Sequence, residues 1–582
     1  MKKKLTVAEI IIQKLEKVDV GHIFLLPGGG CMYLVDALAR SGKIMPIPML
    51  HEQSVGVAAE AYAQYGNTLG VALVTTGPGA TNAITPCAAA WTDSTPMIFI
   101  SGQVKRADSA EKLGLRQKGF QELPITKILE PITKKVIKLD DSSKVLEVMD
   151  ELIYLAKSGR PGPVWLDIPL DIQNEIYEVN EADLNKNFQS SHPSNKVFDF
   201  DQLVSDWNKA HKPILLLGNG IRLANALAEV NKLICTTQTP ALLSWKALDY
   251  LDELDPLNAG RPGAIAQKWS NLAQQEADFI LVLGARLDQG QVGYRLDAFA
   301  KNAKKYIVDI DLNELKKFND FAFEQVFMDV REFLIKLDNQ MHRIKKTDAA
   351  WIGQIKEWKR VFPIIQEKHL NPAHGVNLYR LIDKLSEELK HDIVFVPGSS
   401  GACSEVSMQS FKVKIGQRVF NSEGLGPMGF GIPATIGAHL ASGKKIISVD
   451  GDGGFLMNIQ ELGTIALHKM PIKIFVLNNN GYGSIKTTQD NYFNGRRLGT
   501  DPKSGLGIPE ILPIVEKFGI KVSRIENDKN LTNDIRKVIN DNNAHVCEVI
   551  VDPNQITEPK VKTLRTNEGE LVTSEPSDLY PK

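Results

Sequence analysis

The sequence predicts an α/β protein built from three doubly wound parallel-sheet domains, and three observations carry that prediction. Short apolar runs recur along the chain, nearly every run ends in Gly, Asp or Pro, and stretches of helical period separate them. Continuous apolar runs of that length are the signature of strands buried on both faces of a parallel sheet, and alternation with helical segments makes them βα units.

The elements follow in chain order. The first helix is expected to start at Thr6, whose hydroxyl can cap it while Glu9, three residues on, completes a capping box. VALVTTGPG from Val71, PMIFISG from Pro96 and PVWLDIP from Pro163 read as strands of a first domain. PILLLGNG from Pro213, DFILVLGAR from Asp278 and YIVDID from Tyr306 belong to a second. DIVFVPG from Asp392, KIISVDGDG from Lys445, IKIFVLNNN from Ile472 and VCEVIVDP from Val546 belong to a third. Polar, strandless residues 185–196 and a charged, helical-looking stretch over 340–371 divide the chain into domains at 1–180, 195–340 and 370–555, with a Pro- and charge-rich tail at 556–582. A length of 582 residues agrees, since domains average roughly 150 residues. The first and third domains echo one another weakly as Gly-rich αβ units, and no solenoid repeat or low-complexity segment is present.

Composition narrows the function classes. With 43% hydrophobic and 24% charged residues and a net charge of -1 the chain resembles ordinary globular proteins, and no global field draws it to nucleic acid or anionic lipid. No apolar run approaches the roughly 20 residues that span a bilayer. The opening MKKK is followed by Glu9, Lys14, Glu16 and Lys17, which break the apolar core of a signal peptide, so a cytoplasmic protein is expected. Cys31, Cys87, Cys235, Cys403 and Cys547 lack the spacing of a zinc site or disulfide framework and read as reduced thiols.

In open parallel sheets, ligands gather beyond the carboxyl ends of the strands, where helix N-termini offer backbone amides to anions. Asp452, between Gly451 and Gly453, supplies a hard oxygen there, Gly453 and Gly454 leave amides bare for phosphate, and Asn479 brings a neutral oxygen from the neighbouring strand. One carboxylate and one amide oxygen suit Mg²⁺ that shares its remaining ligands with a diphosphate. Taken alone, Asp452 would merely start a helix and the asparagines would cap a turn.

The run from GDG through Gly454 to Leu477 and then Asn478-Asn479 resembles the thiamine diphosphate signature of the acetolactate synthase and pyruvate decarboxylase superfamily. The resemblance implies that Asp452, Asn479 and the carbonyl of Gly481 hold Mg²⁺ and that Gly453 and Gly454 contact the diphosphate. It implies that Glu52, in LHEQSVGVAAEAYAQ, is the catalytic carboxyl facing the aminopyrimidine, with His51 packing or orienting. In GLGPMGFGIPA it assigns the Gly426 carbonyl and Met428 amide to the ring and the Met428 side chain to bending the cofactor. Phe120 and Gln121 of FQEL match residues flanking the reacting carbon, and Ser399 and Ser400 stand beside the diphosphate. Because Glu52 and the diphosphate site come from different subunits in such enzymes, a homodimer or homotetramer is expected.

The resemblance extends to the middle domain, where Gly218, Gly220, Gly284, Arg286, Asp288, Asp309 and Asp329, with Arg160 from the first domain, match FAD-contacting positions. The FAD would be structural, although similar strand-end glycines also occur in nucleotide-free relatives. Three departures fall on the acceptor side: Leu170 where the family has Lys, Thr488 where it has Trp, and Ser399-Ser400 where it has Gln-His. They favour an acceptor larger than pyruvate. The segment from Gly481 looks like the branch that passes an acetyl unit to a nucleotide-linked keto sugar, as in yersiniose-type biosynthesis, with Arg496 and Arg497 available to a nucleotide diphosphate. The function implied is a thiamine diphosphate-dependent decarboxylating carboligase using pyruvate or a similar 2-oxo acid. Its alternatives are an authentic acetolactate synthase and a non-catalytic cofactor-binding homologue.

Overall fold

A computed structural model describes residues 2–185, 198–565 and 570–580, so most of the polar stretch 185–196 lies outside the described residues. Three six-stranded sheets, each wholly parallel, carry the α/β architecture. The first runs edge to edge through Met45–Pro48, His22–Leu25, Gly70–Val74, Met97–Gln103, Pro163–Pro169 and Lys135–Lys138. The third runs through Arg418–Val419, Ile393–Phe395, Lys445–Gly451, Lys473–Asn478, His545–Ile550 and Lys521–Ile525. Counted along the chain, both have the order 2-1-3-4-6-5, so the faint echo in the sequence is a shared topology. The middle sheet, Asn258–Gly260, Ala241–Leu243, Pro213–Leu217, Phe279–Leu283, Lys304–Asp309 and Phe323–Phe327, has the dinucleotide-fold order 3-2-1-4-5-6.

Every apolar run singled out in the sequence is a strand. Several strands that the runs did not reveal lie at sheet edges, such as Met45–Pro48 and Phe323–Phe327, where exposure on one side removes the continuous apolar pattern. The Thr6 cap forms as expected: Thr6 Oγ1 accepts from the Glu9 amide at 3.2 Å and Glu9 Oε2 from the Thr6 amide at 2.7 Å. Lys2–Thr6 pairs antiparallel with Ile176–Asn180 and ties the start of the first domain to its end.

Two contacts position the site. Helix Glu52–Gly66 of the first domain lies against helix Gly431–Ser442 of the third, so closely that a Cβ on Gly437 would stand 2.0 Å from the Ala58 carbonyl oxygen. Only glycine permits this approach, and the two helices share one apolar core that includes Val57, Ala61, Phe430 and Ile436. At the meeting point of all three domains, buried Lys246 donates to Asp93 at 2.7 Å, to Gln64 at 2.9 Å and to the Asn421 carbonyl at 3.1 Å. Asp93 in turn accepts the amides of Glu423 and Gly424. The tail also docks: Lys560–Val561 pairs with Leu579–Tyr580, and the Val561 amide reaches the Ala264 carbonyl at 2.6 Å. Among the described residues no helix is long and apolar enough to cross a membrane.

Candidate functional site

A cavity of about 580 Å³ opens at the carboxyl ends of the adjacent strands Lys445–Gly451 and Lys473–Asn478. Asp452 follows the first strand and begins the short helix Asp452–Met457, so it starts a helix and faces the cavity at once. Its Oδ1 accepts from the Gly453 amide at 2.7 Å and its Oδ2 from the Gly481 amide at 3.1 Å. Burial pushes the carboxyl up to about 6 even though backbone amides stabilise its charge. The asparagines beyond the second strand divide their work. Asn478 Oδ1 caps the turn by accepting from the Asn480 amide at 2.9 Å, while its Nδ2 donates to Glu548 at 2.7 Å. Asn479 Oδ1 is buried and has no hydrogen-bond partner among the described residues.

Gly453, Gly454 and Gly481 line the same cavity, as do Met428 and Ser400. A Cβ on Gly453 would stand 2.3 Å from the Tyr482 ring and 3.2 Å from the Met428 methyl, so the glycine keeps the floor open between them. Gly426 takes a positive φ of 62° and packs on the Ser399 carbonyl. Ser399 itself lines a neighbouring cavity, its hydroxyl accepting from the Ser422 amide at 3.0 Å. Beyond Gly429 the glycine-rich run becomes the buried start of helix Gly431–Ser442, so that part of it does serve the core.

Sequence reasoning missed several groups here. Asp450 is fully buried and Oδ2 has no partner among the described residues; burial pushes the carboxyl up to about 7. Its signal was the first aspartate of VDGDG, read only as the end of a strand. Glu405 and Lys560 also line the cavity and belong to no sequence motif, and Tyr482, within the segment from Gly481, lines it without having been given a role.

Glu52, Phe120 and Gln121 gather elsewhere and do not line the Asp452 cavity of the same chain. Glu52 opens helix Glu52–Gly66, with His51 as its N-cap accepting from the Gln53 amide at 3.1 Å. Its Oε2 accepts from Asn82 Nδ2 at 3.0 Å, and its Oε1 faces Gly79. Gln121, at a positive φ of 64°, packs its carbonyl on Gly77, and Phe120 is 87% exposed. The loop that carries them is organised by Glu122, whose carboxylate collects the amides of Ala110, Lys118 and Gly119 and the Ser109 hydroxyl.

A third cavity, at the ends of the middle strands, brings Arg160 together with Gly218, Gly220, Gly284, Arg286 and Asp288. Asp309 and Asp329 complete its wall. Gly218 and Gly284 lie against each other, a Cβ on the former falling 2.2 Å from the latter's carbonyl oxygen, so their first role is to let two loops meet. Arg160 is engaged by Asp311 at 3.0 Å and Glu314 at 2.7 Å, and burial pushes the Asp309 carboxyl up to about 6. Asn219 Oδ1 and Gln291 Nε2 are buried at this cavity without partners among the described residues. This space, about 110 Å³, shares the lining residues Ser244 and Glu423 with a second of about 270 Å³, which shares Gly401 and Glu405 with the Asp452 cavity.

Of the acceptor-side residues, Thr488 lines the Asp452 cavity, and Leu170 begins the short helix Leu170–Gln173. Arg497 is engaged by Asp490 at 2.8 Å and Asp501 at 3.1 Å, which leaves its charge balanced, and Arg496 is exposed.

Models of the thiamine pyrophosphate enzyme domains match in order: the N-terminal TPP binding domain over residues 5–128, the central domain over 201–337 and the C-terminal TPP binding domain over 399–549. The chain is 31% identical over 559 residues to the acetolactate synthase large subunit of Lactococcus lactis subsp. lactis, covering 95% of this chain and 94% of that one. It is 32% identical over 566 residues to the acetolactate synthase isozyme 1 large subunit of Escherichia coli K12, covering 96% of each. The acetolactate synthase large subunit of Cyanidium caldarium is 31% identical over 579 residues, covering 97% of this chain and 96% of that one.

Proposed function

Since the chain belongs to the thiamine pyrophosphate enzymes and, among them, to the acetolactate synthase large-subunit family, we propose that it passes the two-carbon unit of pyruvate or a similar 2-oxo acid to an acceptor carbonyl larger than a second pyruvate. A nucleotide-linked keto sugar is the acceptor class its residues suit. The observation that carries the acceptor reading is helix Gly483–Phe493, which buries none of its residues and gives Thr487, Thr488, Asn491 and Tyr492 to the cavity wall. Thr487, Thr488 and Asn491 there, beside the larger Ile485 and Tyr492, leave hydrogen-bonding capacity that a second pyruvate does not need.

The donor set fits the cofactor. Thiamine diphosphate supplies a thiazolium carbon that acts as nucleophile and electron sink. Asp452, the partnerless Asn479 Oδ1 and the Gly481 carbonyl would hold Mg²⁺, and Gly453 and Gly454 would leave amides for the diphosphate. Met428 would support the aminopyrimidine. Glu52 would hold and return the proton that the ring exchanges, its Oε2 steadied by Asn82. Because Glu52 and Asp452 line different parts of one chain, the complete site is assigned to a homodimer, or a homotetramer of such pairs, in which Glu52 of one copy faces the cavity of another. The middle cavity would hold FAD, with partnerless Asn219 and Gln291 as polar contacts, in a structural role.

A second reading, condensation of two pyruvates, is favoured by the likeness to acetolactate synthase large subunits. Incubation with labelled pyruvate, thiamine diphosphate, Mg²⁺ and candidate acceptors, followed by mass spectrometry, separates the two. A labelled two-carbon adduct of the nucleotide keto sugar supports the proposal. Acetolactate as the sole product, saturating in pyruvate, supports the second reading. Absence of CO₂ release, unchanged in Glu52→Gln, would mark a binding homologue.

A further inference from the structure

The Asp452 cavity holds a strongly one-sided set of charges. Glu405, Asp450, Asp452 and Asp552 are on its wall, and among its described lining residues the one basic side chain is Lys560. Lys560 is half-buried, and its ammonium makes no hydrogen bond or ion pair among the described residues. Glu405, on the same wall, accepts from the Thr557 hydroxyl at 2.7 Å.

The backbone on either side of Lys560 is held firmly. The Tyr379 hydroxyl accepts from the Glu558 amide at 2.8 Å and donates to the Glu558 carbonyl at 2.7 Å, and Gln409 Nε2 donates to the Pro559 carbonyl at 3.1 Å. Lys560 bridges to Ile265, and Val561 pairs with Leu579. A lysine on the wall of a half-closed cavity, with its main chain fixed on both sides and no ion-pair partner among the described residues, has a charge available to an anion that arrives with a ligand. Residues 556–580 also lie beyond the stretch, ending at 549, that matches the C-terminal TPP binding domain.

We propose that Lys560 binds the anionic group, a phosphate or diphosphate, of the acceptor substrate and thereby sets the preference for charged over neutral acceptors. The proposal rests on the carboligase reading for its substrate. The cofactor's own diphosphate is served by the metal ligands and glycine amides, which leaves the lysine to the incoming molecule.

The test uses the full-length enzyme loaded with thiamine diphosphate and Mg²⁺, in wild-type, Lys560→Met and Lys560→Arg forms matched by melting temperature. Calorimetric titration with uridine diphosphate, and with uridine as the uncharged control, reads the site directly. Expected is a loss of roughly tenfold in uridine diphosphate affinity in Lys560→Met, substantial recovery in Lys560→Arg and no change for uridine. With turnover, the ratio of kcat/KM for a nucleotide-linked keto sugar to that for acetaldehyde should fall by a similar factor. Equal uridine diphosphate affinity in all three forms overturns the proposal. So does a loss confined to thiamine diphosphate affinity or to the KM for pyruvate, which would assign the lysine to cofactor or donor. If the wild type releases no CO₂ from pyruvate, the carboligase reading fails while the uridine diphosphate titration still decides the role of Lys560.

Discussion

The Asp452 carboxylate accepts the backbone N–H of Gly481 at 3.1 Å and so fastens the end of one strand to the turn that ends its neighbour. The bond holds the Asn479–Gly481 turn against Asp452 without any help from the Asn479 side chain, whose Oδ1 stays buried and partnerless. A buried acceptor left open in this way costs stability unless a ligand satisfies it.

Asn479→Ala removes that acceptor and leaves the Asp452–Gly481 bond in place. The variant should fold with an unchanged or slightly raised melting temperature in the absence of cofactor. Its Mg²⁺-dependent affinity for thiamine diphosphate should drop by at least about tenfold. Fluorescence titration at fixed Mg²⁺ checks this; unaltered affinity would remove Asn479 from the metal site.

Gly453→Ala would press a methyl group to 2.3 Å from the Tyr482 ring. The expected cost is about 1–3 kcal/mol of stability, together with weaker cofactor binding. Thermal melts of the single variants and of the Gly453→Ala/Tyr482→Ala pair provide the check. The cost of Gly453→Ala should shrink once the ring is gone, and additive losses would place the strain elsewhere.

Glu52→Gln keeps the shape of the side chain and the first turn of its helix while removing the ionisable proton. CO₂ release from pyruvate should fall by roughly 10²–10⁴-fold, the usual worth of a positioned acid–base group, with cofactor affinity and melting temperature little changed. Stopped-flow and steady-state assays at saturating thiamine diphosphate read the effect.

Lys246→Met removes the cation at the junction of the three domains and leaves Asp93 buried without it. A loss of about 3–5 kcal/mol is expected, because breaking one side of a buried pair strands the other charge. Adding Asp93→Asn should recover part of it. Denaturant unfolding of both variants measures the difference, and equal stabilities for single and double variants would contradict the ion-pair account.

Glu60 gives the pH dependence. Burial, with Asp93 nearby, lifts its carboxyl from 4.5 to about 8 against the favourable charge of Lys246. The folded state therefore keeps a proton that the unfolded chain releases, and stability from this group falls as pH rises between about 4.5 and 8. Glu60→Gln, which retains an amide partner for Gln64, should flatten the decline of melting temperature from pH 6 to 8. A decline as steep as in the wild type would assign it to other buried carboxyls, such as Asp167 and Glu423, which are pushed up to about 7 and about 8.

Some parts of the site were legible and others were not, for physical reasons. Asp452, Asn479 and the glycines between their strands stood out because strand ends that feed helix N-termini favour particular residue types, and the structure gathers them at one cavity. Lys246, Asp450 and Lys560 could not. Lys246 has no motif around it, and its worth comes from partners about 150 and 180 positions away in the chain. Asp450 looked like the end of a strand, although its environment is a hole walled by the remote Gly398 and Gly431 as well as the nearby Gly454. Arg497 carried a visible charge, and only its position between Asp490 and Asp501 revealed that the charge is balanced.

By itself the sequence determined the α/β class, the buried strands and the capped first helix, because apolar periodicity and capping are local properties. The tertiary structure decided that the first and third sheets share one topology and one core through Gly437 and Ala58. It also decided that Glu52 and Asp452 of one chain face different spaces, and that the tail brings Lys560, with no ion-pair partner among the described residues, to the wall of an acidic cavity. Those facts depend on long-range packing, where burial and the presence or absence of a distant partner fix what a side chain can do.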